Sequence, residues 1–290
     1  MARCRGDLDK NLDDFDIFAS YPYDGKNKQR KPLDDSLVPY MPEKYLEQEA
    51  KEILEKYYPE ALHIPRYNEE PVWVNPAELA KRLNLTVIKT QIREDCSVFG
   101  QIYFEPATAK VYNNKTNNIT ELQVQEGTIL VDPNVFFLRN LGAYNNTIIH
   151  ECVHWIKHKK AFTLARIYNA SVSNISCEVV GGAETAFGGQ ATDFMEKQAN
   201  QLAPRIQMPA APFRARANEL IHRAMLKTGA THTVDVMEKV INQLQVDFSV
   251  SKQAAKIRMV ELGFEEAIGT FTYIDGHYVK PLSNDTLYLI

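Results

Sequence analysis

The 290-residue chain is long for one minimal domain and short for three. With 44% hydrophobic, 10% aromatic and 24% charged residues it is not collagen-like, coiled-coil or wholly disordered, and a formal charge of -4 supplies no global polycation for nucleic acid or membrane. No apolar run approaches the roughly 20 residues that cross a bilayer, and Met1-Ala2-Arg3-Cys4-Arg5-Gly6-Asp7 turns acidic where a signal peptide turns apolar, so a soluble cytoplasmic protein is expected.

Residues 1–42 mix acidic clusters with Pro, Gly and Lys and read as a flexible tail, although Phe15, Phe18, Tyr21 and Tyr23 could dock on something. From 43 to 58, Leu46, Ala50, Ile53, Leu54 and Tyr57 recur at helical spacing, and Pro59 ends the run. Asn75 caps a short second helix with Pro76 in its first position. Strands are expected at 86–92, 98–104, 110–113 and 127–131, with the polar 113–118 stretch as a turn. Helices follow at 144–158, 192–207, 213–226, 234–245 and 251–262, with Gly-rich sequence around 181–189 as a flexible cleft rim and Gly263 as a stop. A small hairpin around Asp275-Gly276 closes the chain. Cys4, Cys96, Cys152 and Cys177 lie far apart and read as reduced thiols.

The decisive segment is His150-Glu151-Cys152-Val153-His154. Residues four apart on a helix share a face, so two imidazoles can grip one ion. Glu151 projects about 100° further round and can reach a metal-bound water without being a ligand. This is the H-E-x-x-H signature of zincins. Ile148, Ile149, Val153 and Trp155 give it an apolar setting, and Cys152 suits core packing rather than the metal.

A zinc site needs a third protein ligand. Lys160 stands where a third histidine six residues after His154 would be. His158, eight residues after His150 on the same helix, cannot converge on the ion and is expected at the surface or behind the ligands. Glu178, Glu184 and Glu196 are the carboxylate candidates. Glu196 is favoured because Asn200, one turn on, could accept the N–H of a ligand histidine, whereas Glu178 and Glu184 stand beside loop-forming glycines.

With Glu196-Lys197-Gln198-Ala199-Asn200-Gln201-Leu202-Ala203 and Met208-Pro209 following the His150–His154 helix, the chain resembles the ImmA/IrrE family of bacterial zinc metallopeptidases over roughly residues 70 to 265. Against the family's usual form, Gln198 replaces a second glutamate, Leu202 an aromatic and Cys152-Val153 a Leu-Gly pair, while Pro204 should kink the helix near Asn200. The resemblance implies an α+β, zincin-like (gluzincin-type) fold, with a small mixed sheet, an active-site helix pair and a helical C-terminal region. It divides the chain into a tail (1–42), a metallopeptidase domain (43–210), a helix-turn-helix-like region (211–265) and the hairpin (266–290). One Zn²⁺ per chain is expected on His150, His154 and Glu196, with Glu151 as general base and Asn200 behind the ligands. The implied substrate is a cytoplasmic protein, such as a helix-turn-helix repressor of a mobile element or stress regulon. The strand at 98–104 could take it up as an extended peptide by β-addition.

Two rival readings remain. Residues 205–260 carry a local charge of +5, and the helices at 234–245 and 251–262, with basic Lys252, Lys256 and Arg258, have helix-turn-helix spacing. A DNA-binding regulator is therefore the less favoured alternative, beside a zinc-dependent adaptor with a purely structural site. The oligomeric state is left open.

Overall fold

Helix α1 (Leu46–Tyr57) buries Leu46, Ala50, Ile53 and Leu54 on one stripe and stops before a 3₁₀ turn opened by Pro59. The structure, a computed structural model, describes residues 41–168, 174–178, 189–270, 272–274 and 277–279. The expected tail, all but its last two residues, lies outside them, as do Glu184 and most of the glycine-rich rim. Helix α2 (Pro76–Arg82) starts as its residues dictate: the Asn75 side chain accepts from the Ala77 and Glu78 amides, and Pro76 needs no partner for an N–H it lacks.

Five strands follow: β1 (Thr86–Lys89), β2 (Val98–Tyr103), β3 (Ala107–Asn113), β4 (Asn118–Val124) and β5 (Thr128–Val131). With β6 (Asn174–Glu178) they form a four-stranded sheet of order β1-β5-β2-β6 and a separate β3-β4 ribbon. β1 and β5 are parallel, and the other pairs are antiparallel. The mixed sheet matches expectation, with two corrections. Residues 118–124 form a strand, and β2 has no free edge. β5 and β6 bond its two sides, so a peptide cannot add to it.

Beyond α3 (Asn134–Leu138), a single helical rod replaces the expected 144–158 helix. It consists of α4 (Leu141–Val153), a π turn (His154–His158) and α5 (Lys159–Tyr168). Helix α6 (Gly189–Gln207) packs against α4 and α1, giving the expected helix pair. It continues through Pro204 to Gln207 rather than breaking. Within that last turn the Arg205 side chain bonds the Gln201 carbonyl at 2.8 Å. Helices α7 (Ala210–Thr228), α8 (Val234–Asp247) and α9 (Lys252–Glu261) follow, then the hairpin β7 (Thr272–Ile274) and β8 (His277–Val279). The architecture is α+β.

Beside a smaller third one between β2, β5 and the β3-β4 ribbon, two larger apolar clusters organise the described residues. One joins α1, α2, the sheet, α4 and α6; the other joins Met208, α7, α8 and α9. Arg258, 1% exposed, ties them together: its guanidinium grips both Glu47 oxygens on α1 and donates to the Met208 carbonyl at 3.0 Å. The buried Lys256 ammonium donates to the Thr270 carbonyl, and Lys252 pairs with Glu238. The three cations of the expected helix-turn-helix-like region are thus spent on internal contacts.

Candidate metal centre

The site begins with the placement of α4. The Asn140 side chain caps it by accepting from the Ala143 amide at 2.9 Å. Its first turn lies directly on the α8–α9 connection. A Cβ at Gly142 would meet the Ser251 nitrogen at 2.0 Å, and Asn145 donates to both the carbonyl and the hydroxyl of Ser249 at 3.0 Å. From Thr147 to Val153 every residue is buried, which is how a helix in the middle of a core behaves.

On this rod His150 and His154 lie one turn apart, 1% and 0% exposed. Their Nε2 atoms face each other at 2.9 Å. Glu196 reaches across from α6, Oε2 at 3.1 Å from the His150 Nε2 and Oε1 at 3.2 Å from the His154 Nε2. Metal–nitrogen bonds of about 2.0–2.1 Å in a tetrahedral site place donor atoms roughly 3.3 Å apart. Two imidazole nitrogens and the Glu196 carboxylate therefore converge at close to that spacing, and the three residues form a possible metal-binding group among the described residues. Burial alone would raise the Glu196 carboxyl, but the two histidines outweigh it and hold it well below the usual range. Burial lowers His154 despite the opposing Glu196 carboxylate, which favours the neutral imidazole that can ligate.

Glu151 is fully buried, and neither carboxylate oxygen has a hydrogen-bond partner. Burial, with a smaller push from Glu196, raises its carboxyl to about 8. A dry, unpaired carboxylate is costly, so the neutral acid is favoured here unless another charge faces the group. A cation held by the neighbouring triad would be that charge, so the residues fit a metal ion. β2 closes the other side, where a Cβ at Gly100 would meet the Glu151 Oε1 at 2.5 Å and the Thr147 Cγ2 at 2.8 Å. Only glycine lets the strand pass this close.

The histidine chain continues away from the triad. His154 Nδ1 lies 2.9 Å from His158 Nδ1, whose Nε2 lies 2.9 Å from the Gln198 Oε1. The π turn widens the rod between His154 and His158, a feature often found at functional sites. His158 is thus 0% exposed rather than at the surface, yet it is no ligand. Asn200 is not the amide behind the histidines. The buried stripe of α6 is Met195, Ala199, Leu202, Ala203 and Ile206. At about 100° per residue, Glu196 and Gln198 flank it on opposite sides, and Asn200 falls further out, exposed. Sequence reasoning missed Gln198; its one signal was its place where the family usually has a glutamate.

Cys152 packs in the core with its thiol pushed up by burial, as expected. Of the other candidate ligands, Glu178 ends β6 opposite Val98. The α4–α6 pair brings together His150, Glu151, His154 and Glu196 and leaves Asn200 outside.

No curated protein matches the chain. No helix among the described residues is long and apolar enough to cross a membrane. A family model does match, the IrrE N-terminal-like domain named Peptidase_M78, over residues 139–260. The match starts at the foot of α3, later than the span from residue 70 over which the motifs resemble the family, and it contains all four residues of the centre. Over those residues the chain is similar to an IrrE N-terminal-like domain of the Peptidase_M78 family.

Proposed function

We propose that this chain is a zinc-dependent endopeptidase of gluzincin type, with one Zn²⁺ held by His150, His154 and Glu196. The observation that carries the reading is the convergence of three ligand atoms beside an unpaired, buried carboxylate inside a Peptidase_M78 domain. When bound, the ion supplies a Lewis acid for a water and for the scissile carbonyl. Glu151 accepts a proton from the attacking water and delivers it to the leaving amine. Its oxygens are tied to no protein donor, so both are free for that transfer. Gly100 on β2 lets the sheet lie close against it from one side.

The substrate in this reading is a cytoplasmic protein, such as a helix-turn-helix repressor of a mobile element or stress regulon, as in the family the motifs resemble. With β2 sealed, the sheet edge nearest that strand is β6, and β-addition of an extended substrate falls there among the described residues. Against the DNA-binding alternative, Lys256 and Arg258 are buried and engaged inside the protein, and Lys252 pairs with Glu238. A structural-metal adaptor would have no use for an unpaired buried carboxylate beside the ligands.

Elemental analysis of purified protein tests the site. One zinc per chain in wild type, and loss of it in Glu196→Ala and His150→Ala, is the expected result. Equal zinc in wild type and Glu196→Ala would remove Glu196 from the ligand set.

A further inference from the structure

The buried chain of side chains behind His154 does something the ligand set alone does not explain. Each of its links is 2.9 Å long, and its members are 0–5% exposed. A neutral imidazole has one N–H and one acceptor nitrogen, so each hydrogen bond dictates the next. The Gln198 Oε1 can only accept, which places the His158 proton on Nε2. The His158 Nδ1 is then an acceptor, and the His154 proton must sit on Nδ1 to donate to it. His154 Nε2 is left with a bare lone pair, and Nε2 is the atom that faces His150 and Glu196.

We infer that His158 and Gln198 form a one-way hydrogen-bond relay that fixes the tautomer of His154 and so presents its Nε2 to the metal. The inference rests on the metal-site reading above and adds two positioning residues to it. The fold builds the relay in two steps. The π turn at His154–His158 sets the His158 ring against His154, ring centroids 4.9 Å apart, and α6 supplies Gln198 from the far flank of its buried stripe. A free imidazole samples both tautomers, and the relay removes the unproductive one before any ion arrives. Such partners behind a ligand histidine are worth roughly 10–100-fold in metal affinity.

The first test needs no metal and no substrate. Long-range proton–nitrogen correlation spectra of the metal-free protein, with its 7 histidines assigned by single substitution, report which ring nitrogen is protonated. The expected spectrum has His154 protonated on Nδ1 and His158 on Nε2; His154 protonated on Nε2 would overturn the relay. The second test is zinc affinity by chelator competition. His158→Phe keeps a buried ring but cannot accept, and Gln198→Met keeps the length but loses the carbonyl. Each should weaken zinc binding roughly 10–100-fold while leaving the secondary structure unchanged by circular dichroism. Wild-type affinity in both variants would also overturn the relay. Should His158→Phe not fold, the wild-type spectrum and Gln198→Met decide the matter. Wild-type protein with the stated tautomers that binds no zinc would support the relay and sink only the metallopeptidase reading.

Discussion

Gly100→Ala is the substitution by which β2 reports on Glu151. The added methyl carbon would lie 2.5 Å from the Glu151 Oε1 and 2.8 Å from the Thr147 Cγ2, both inside the distance real Cβ contacts keep. β2 is held on two sides by β5 and β6, and α4 is pinned at its foot on Val250 and Ser251. Neither can retreat freely, so the Glu151 side chain is the softer partner. Overpacking of this kind costs about 1–3 kcal/mol, which for a domain of this size lowers the thermal midpoint by roughly 2–12 °C. Activity should fall further than stability, because the group displaced is the proposed base, while the ligands on the other side of α4 keep their metal. A double-mutant cycle isolates the contact. In a Glu151→Ala background the clash with Oε1 is gone and only Thr147 remains, so Gly100→Ala should cost less than half as much. Calorimetry on the four proteins supplies the numbers. A Gly100→Ala protein with wild-type midpoint and wild-type activity would refute the claimed closeness of strand and helix.

Arg258→Leu should destabilise by about 2–3 kcal/mol in urea titration, since it leaves Glu47 with Arg205 alone and strips a buried donor from the Met208 carbonyl. Glu47 sets an acid limb to stability: burial raises its carboxyl, but Arg258 and Arg205 outweigh that and hold it below the ordinary 4.5. A carboxyl depressed in the folded state stabilises above its unfolded value and loses that stabilisation as pH falls through the folded value. The urea midpoint should therefore drop below about pH 4.5, and Glu47→Gln should flatten that drop. Asn200→Ala, on an exposed flank, should change stability by no more than about 0.5 kcal/mol and leave chelator-competition curves for zinc on those of wild type. Purified protein should show no salt-dependent affinity for duplex DNA in electrophoretic shift assays, because Lys256 and Arg258 are buried and paired.

What could be read from residues alone was whatever depends on short spacings. The i, i+4 pair of His150 and His154, the Asn75-Pro76 helix start and the apolar stripe of α1 are local rules, and each is present in the structure. Glu196 was reachable because a carboxylate on a neighbouring helix is what two histidines lack. Strand β4 escaped although Thr120, Leu122 and Val124 alternate with Glu121 and Gln123, because that face is only half-buried before Val124 and its partner among the described residues is β3. β6 escaped because its pairing with β2 joins residues far apart in the sequence. His158 was set aside by regular α-helical phase, and the π turn changes that phase. Asn200 was chosen on the periodicity of one helix. Burial against α4 and α1, which only the packed structure supplies, selects Gln198 instead.

In the proposed mechanism Glu151 is a base beside a metal and not part of what holds it. Glu151→Gln keeps the shape of the side chain and removes the carboxylate. The decisive measurement follows cleavage of a helix-turn-helix repressor, the substrate class proposed above, by mass spectrometry of the fragments, with zinc content recorded for the same samples. Wild type should cut one bond, and Glu151→Gln should retain its zinc and cut at least 10²–10⁴-fold more slowly. Zinc-loaded Glu151→Gln that cleaves as fast as wild type would contradict the mechanism.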